Sequence, residues 1–481
     1  MKSLFRSFFT VSFYTFLSRV LGFIRDILIA RYLGSTVIAD AFFVAFRIPN
    51  FFRRVLAEGA YSAALIPVFS GVVLNPKDER EASDFVENTT SMLLFATVVL
   101  TIIFFFGMPY IIQVLAPGFT DNKEAYELAV HFGKIIFPYI IFISLAAHFA
   151  SINNVMNVCS WCICSCYFEY KFYSVIIPFN TFVTTAGHAL SYGVLIGGVL
   201  QFLYLYRSVL NFYRPRIRIP VLNEKLKKFF KLFLPGVVGS GVIQLNIVIG
   251  TIIASFLPVG AISHIYYADR LNQLPLAIFG IALGIVLLPS LSKAIKQSDQ
   301  ETTNNIQNRS IEFSLLISLP SAIGLFILAE PIIQILFERG AFVKEDTFYT
   351  AKVLSYFALG LPAYIIIKVL VSCFFAREDT KTPLYISIVS VISNVVLSLL
   401  LIGSMREMGI AIATAISAWV NALLLYLFLA IRNHMKFDDL LVRNSIKILL
   451  SSFLLFVGIY LLNGLFFTNI SGNSGLLNSA L

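Results

Sequence analysis

The chain has 481 residues, of which 58% are hydrophobic and only 13% charged, with a mean hydropathy of +0.84. Soluble domains carry about 25% charged residues, so a soluble globular protein is excluded. A membrane barrel is excluded too, because the apolar runs are of helix-spanning length, about 20 residues, rather than short and alternating. The net charge of +10 sits in loops between apolar runs, which fits membrane topology and not nucleic-acid binding.

The chain opens on "MKSLFRSFFTVSFYTF", a charged start and an apolar run with no small-residue cleavage site. This predicts an uncleaved first span with a cytoplasmic N-terminus. Spans are predicted at about 8–32, 37–74, 88–116, 125–152, 158–180, 182–206, 229–257, 261–291, 310–337, 347–375, 382–403, 409–431 and 441–465. On that count the basic segments fall inside: Arg207 to Lys231, Lys293 and Lys296, Arg377 and Lys381, and Arg432 to Lys447. The outer loops, such as 258–262 and 404–408, are short and carry little positive charge, as the positive-inside rule requires.

The first two spans carry a load a lipid anchor would not tolerate. "RVLGFIRDILIARYLGSTVIADAFFVAFRIPNFFRRVLAE" (19–58) contains Arg19, Arg25, Asp26, Arg31, Asp40, Arg47, Arg53, Arg54 and Glu58. One charge near the bilayer centre costs roughly 2.5–3.5 kcal/mol on insertion scales, and persists where it faces a partner, water or a charged substrate. The excess is cationic, so the stretch reads as the wall of an anion cavity. On a straight helix Arg19, Gly22 and Asp26 share a face, with Arg25 about 100° away. Asp40, Arg47, Arg54 and Glu58 form a second stripe, unless Pro49 turns Arg53 inward. Arg31, Arg47 and Arg54 are assigned interface or pairing roles, since outer arginines can snorkel to the membrane surface.

Cys159, Cys162, Cys164 and Cys166 crowd one stretch. With no second ligand set and aromatic flanks, they read as a buried apolar group or local sequence damage rather than a metal site. The basic segment 207–228 reads as a cytoplasmic linker between lobes 1–206 and 229–432, with 433–481 forming a last span and tail.

The halves repeat one another. "PYIIQVL" (109–115) recurs as "EPIIQIL" (330–336), and "AEGAYSAALIPVFS" (57–70) has the layout of "FGIALGIVLLPSLS" (279–292). "FPYIIF" (137–142) answers "LPAYIII" (361–367), and Arg47 aligns with Arg270. Six spans per repeat give both lobes one orientation, related by an axis along the membrane normal and facing a central cavity. The predicted fold is therefore an all-α polytopic membrane protein of two six-helix lobes in parallel internal repeat around a cationic cavity. Prolines and glycines interrupting the spans suit a transporter. In the second lobe Asp269 and Arg270 are the main intramembrane pair. Arginine's planar fork binds phosphate oxygens bidentately, so the array suits a diphosphate. Asp26, Asp40, Glu58 and Asp269 would hold the arginines when the cavity is empty. No catalytic constellation, nucleotide loop, cofactor motif or metal-ligand spacing is present; His264 and Asp269 invite an acid/base pair that nothing else supports.

"SRVLGFIRD" (18–26), "ADAFFVAFRIPNFFRRVLAEGAYSAALIPVF" (39–69), "YYADRLNQLP" (266–275), "LGIVLLPSLSKA" (283–294) and "FFAREDTKTP" (374–383) resemble the MurJ (MviN) family of bacterial lipid II flippases. The resemblance implies the multidrug/oligosaccharidyl-lipid/polysaccharide exporter fold in the bacterial inner membrane. It implies alternating access that moves an undecaprenyl-diphosphate-linked peptidoglycan precursor, lipid II, to the outer leaflet. Its substrate-binding arginines map onto Arg19, Arg25, Arg53 and Arg270, with Asp26, Asp40 and Glu58 at the matching acidic positions. Membrane lipids and the cell-wall synthesis machinery are the implied partners. Two places depart from the family pattern: "NVCSWCICSCYFEYKFYS" replaces a polar loop and the start of the fifth span, and the chain runs out before a fourteenth span. A related polysaccharide-lipid or drug exporter, an intramembrane phosphatase, and a degenerate copy stay open as alternatives.

Overall fold

The structure is a computed structural model and describes residues 2–54, 60–74, 80–156, 183–221, 224–276 and 281–470. The Cys-rich stretch, Glu58 and the residues after Ile470 lie outside them. Two compact units emerge, residues 1–263 and 264–481.

In the first unit, α1 (Lys2–Leu33) ends at Gly34, whose φ of 57° turns the chain where a side chain would be strained. Thr36 then accepts the Ala39 N–H and starts α2 (Val37–Phe52). α3 (Ala60–Leu74), α4 (Glu81–Leu115), α5 (Lys123–Ile136), α6 (Tyr139–Val155), α7 (Ala186–Val209) and α8 (Glu224–Ala254) follow. α2 packs on α5, α6 on α7, and α8 on α3 and α4. This last contact sets the packing boundary at Ser263, later than the repeat boundary near residue 229. Lipid tails are as apolar as leucine, so close packing and small residues hold such helices together. Gly118 shows this: a Cβ there would meet the Ser255 carbonyl oxygen at 2.1 Å. His148, buried in the interior, is bonded by Tyr61 and Thr90 at 2.9 Å each.

The second unit contains α9 (Ala261–Pro275), α10 (Ile281–Lys296), α11 (Gln300–Ile327), α12 (Ala329–Phe337), α13 (Lys344–Ala358), α14 (Leu361–Phe375), α15 (Lys381–Ile431) and α16 (Asp439–Ile470). Arg406, at φ 50° and ψ −134°, kinks the 51-residue α15 into two crossings. Seven helical stretches among the described residues are long and apolar enough to cross a bilayer. The protein is therefore a multi-pass membrane protein. The apolar window of α16 is only 11% buried, against 78% for that of α5–α6, so α16 lies at the rim and α5–α6 in the middle of its unit.

The internal repeat is visible in the elements. α9 begins 224 residues after α2, α10 and α13 begin 221 after α3 and α5, and α14 begins 222 after α6. α2 and α9 also end alike, each loosening into a π-type turn, at residues 53–54 and at residue 276. Such turns recur at functional sites.

The basic segment after α7 lies along the acidic start of α4. Arg218 pairs with Glu87 at 2.8 Å and Asp84 at 3.4 Å, Val221 and Asn88 exchange two hydrogen bonds of 2.7 Å, and Lys225 pairs with Glu81. In the second unit Arg309 bridges to Asp438, and Arg432 to Asp379, at 2.7 Å each.

Candidate functional site

Each arginine picked out by cost has its own setting. Arg19 is exposed and forms no ion pair among the described residues. Two turns further along α1, Asp26 is buried and Arg25 folds back on it, both Nε and Nη2 donating to Asp26 Oδ1 at 3.2 Å. Their side chains are 4% and 18% exposed respectively, so this carboxylate holds its arginine in a fixed pose. Arg53 stands in the π-type turn after α2, half-buried, its Nε and Nη2 donating to Asn50 Oδ1 at 3.2 and 2.9 Å. Pro49 cannot supply an N–H to the helix ladder, and the chain loosens just beyond it, where Arg53 sits. Arg31 is exposed, and Arg47 and Arg54 are half-buried.

Asp40 has a use that spacing along α2 did not reveal. Its carboxylate accepts the Gly260 N–H at 2.7 Å, the Ser263 N–H at 2.9 Å and the Ser263 hydroxyl at 2.5 Å. It caps the start of α9, whose first N–H groups have no partner within the helix.

In the second unit Arg270 donates from Nη2 to the Tyr266 hydroxyl at 2.7 Å, and its guanidinium stands 4.8 Å from the centre of that ring. Asp269 accepts from Gln273 one turn on. His264 does not face Asp269 as a catalytic partner. Its ring nitrogens lie 3.3 Å from Glu407 and 3.5 Å from Asp346, and Tyr349 stacks on it. This group ties together the starts of α9 and α13 and the kink of α15.

The structure adds residues that the charge count passed over. Asn50 and Tyr266 orient Arg53 and Arg270; each lies one turn before its arginine, a spacing that puts side chains in contact. Lys368, the lone charge of "LPAYIIIKVLVSCFF", meets the same cost criterion that singles out the first two spans. Among the described residues no group of three His, Cys, Asp or Glu could hold a metal.

Arg25, Arg53 and Arg270 are thus each held in pose, by a carboxylate, an amide and a phenol respectively. A guanidinium so held can bind an oxyanion. A profile of the family described as "Lipid II flippase MurJ" matches residues 29–480. A protein from Rhizobium tropici named probable lipid II flippase MurJ is 38% identical over 456 residues, covering 94% of this chain and 85% of its own. The Burkholderia cenocepacia lipid II flippase MurJ is 34% identical, covering 88% of this chain and 83% of its own. A solved structure of lipid II flippase MurJ in an inward closed conformation superposes with a TM-score of 0.80 at 30% identity, over 95% of this chain and 93% of that one. An inward-facing multidrug resistance MATE family transporter of the MOP superfamily, at 13% identity, has a TM-score of 0.72 over 86% of this chain and 94% of its own; it shares the fold alone. The sequence and the fold agree: this chain belongs to the lipid II flippase MurJ family.

Proposed function

We propose that the protein carries the diphosphate-linked peptidoglycan precursor lipid II from the inner to the outer leaflet of the bacterial inner membrane, with its N-terminus in the cytoplasm. The observation that carries this reading is the set of oriented intramembrane arginines in a chain of this family. Arg19, Arg25, Arg53 and Arg270 grip the diphosphate, and Asp26, Asn50 and Tyr266 keep three of them in pose. Arginine suits the task because its fork stays charged at any working pH and meets two phosphate oxygens at once. An apolar groove of about 390 Å³, lined by Ile366, Leu370, Trp419, Leu423, Phe437 and Leu449, offers the lipid tail a path along the second unit. Neutralising the arginines removes their mutual repulsion, which favours closing around the bound head group and then opening outward. The two repeats act as the moving lobes, the 207–228 segment links them, and handover from the cell-wall synthesis machinery follows from the substrate.

The test is transport in proteoliposomes with a labelled polyprenyl-diphosphate precursor. Arg19→Ala and Arg270→Ala are each expected to abolish translocation while the protein still inserts and folds. Full transport by an Arg19→Ala, Arg25→Ala double variant would sink the reading. Recovering the lipid chemically changed would favour an intramembrane phosphatase instead.

A further inference from the structure

The start of α9 sets a histidine between two carboxylates. His264 Nδ1 faces Glu407 Oε1 at 3.3 Å, and its Nε2 faces Asp346 Oδ1 at 3.5 Å. An ionised carboxylate only accepts hydrogen bonds, whereas a neutral imidazole has one nitrogen that donates and one that accepts. A neutral ring would therefore turn a lone pair on one of the two acids. Only the imidazolium, with an N–H on both nitrogens, suits this setting, so the geometry itself requires a bound proton. His264 and Glu407 are buried, while Asp346 is half-buried and is the member of the group nearest to water.

Three helices meet at this ring. α13 contributes Asp346 and Tyr349, whose ring stacks on the imidazole with centroids 5.6 Å apart. Asp346 is fixed in place, because its Oδ2 accepts the Val343 N–H at 3.0 Å. Glu338, between α12 and α13, is engaged instead by the Thr347 hydroxyl at 2.7 Å. α15 contributes Glu407 at its kink, beside the exposed Arg406. The φ of 50° at Arg406 is a strained conformation of the kind found in switch regions. The kink falls in the predicted outer turn 404–408. Arg270 stands six residues after His264 on the same helix, about 9 Å further along its axis. A displacement at His264 is thus carried to the arginine by one continuous element.

We infer that His264, Asp346 and Glu407 form a proton-binding site that governs the freedom of α9. While the ring is protonated, it pins the start of α9 to α13 and to the kink of α15. Release gives one N–H proton to water, and the charge of the group goes from −1 to −2. One carboxylate then faces a lone pair, the fastening is lost, and α9 is free to move together with Arg270. The proton site stands on its own geometry; its link to transport rests on the flippase reading.

The experiment compares the full chain as wild type, His264→Gln and Glu407→Gln. Ligand-free melting temperatures are measured in nanodiscs from about pH 6 to 9, and transport of a labelled polyprenyl-diphosphate lipid is followed in proteoliposomes over the same range. The fastening exists only while the ring is charged, so the stability it adds is present in mild acid and lost as pH rises. Wild type should melt above His264→Gln at about pH 6, and the gap should close by about pH 9. The other four histidines are common to both proteins, so the difference reports His264 alone. A gap that stays constant with pH overturns the proton site. Glu407→Gln, with one carboxylate left to hold the proton, should lose its pH-dependent stability at lower pH than wild type. An unshifted profile for Glu407→Gln overturns the site as well, and needs no folded His264→Gln. Because pinning has to be undone for the helices to rearrange, wild-type transport should be about tenfold slower at the acid end, the scale of one charge-assisted hydrogen bond. Transport by His264→Gln should be the same at both ends; a response equal to that of wild type overturns the control of α9. Absence of transport at every pH overturns the flippase reading, and the melting profiles still decide the proton site.

Discussion

Asp40 illustrates how much a single carboxylate can carry in a membrane. It is 4% exposed and accepts three hydrogen bonds from the start of α9. Each bond to a charged acceptor is worth about 1.5–3 kcal/mol, and a buried donor left unpaired costs a similar amount. We predict that Asp40→Ala lowers the melting temperature in detergent markedly, while Asp40→Asn, which keeps one acceptor oxygen, lies between it and wild type. An unchanged melting temperature for Asp40→Ala would refute this role. Arg25 differs, because its guanidinium rests on the adjacent Asp26 within one helix. Losing Arg25 should therefore reduce substrate binding more than folding.

The turn between α14 and α15 shows how element ends are fastened. Burial opposes the charge on Asp379, but the Thr382 N–H, the Thr382 hydroxyl and the Arg432 guanidinium outweigh it and hold the carboxyl down to about 2. A carboxyl lowered on folding contributes stability above its unfolded value of about 3.9, and loses it as pH falls through the folded one. We predict that Asp379→Asn melts below wild type by a constant margin between about pH 5 and 8, and that the margin shrinks toward about pH 2. A margin that instead widened in acid would exclude the fastening. At the other end of the same helix pair, Arg406 adopts a φ of 50°, a conformation that costs a non-glycine residue about 1–3 kcal/mol. Arg406→Gly should raise the melting temperature, provided that the kink is retained.

At the scale of the molecule, the repeat gives both units one plan but not one charge. Arg19, Arg25 and Arg53 stand in the first, and Arg270 with Lys368 in the second. Carrying an anion outward is helped by an inside-negative potential, at about 2.3 kcal/mol per charge per 100 mV. Collapsing the potential across proteoliposomes should therefore slow outward transport without changing lipid binding. Equal rates at zero and negative potential would show that charge movement is not coupled to transport.

The sequence by itself determined the class, the repeat and most of the cations. Apolar run length and the cost of burying charge act locally, and one chain shows them directly. The repeat shows as short matching stretches at one offset, and the loosening near Arg53 follows from Pro49 four residues earlier. Only the tertiary structure decided what the acids do. Asp40 serves Gly260 and Ser263, more than 200 residues away in sequence, and no periodicity along α2 encodes that partner. His264 likewise meets Asp346 and Glu407 from two other helices. Within the stretch from Arg19 to Arg53, the sequence counted the charges and the fold assigned their partners.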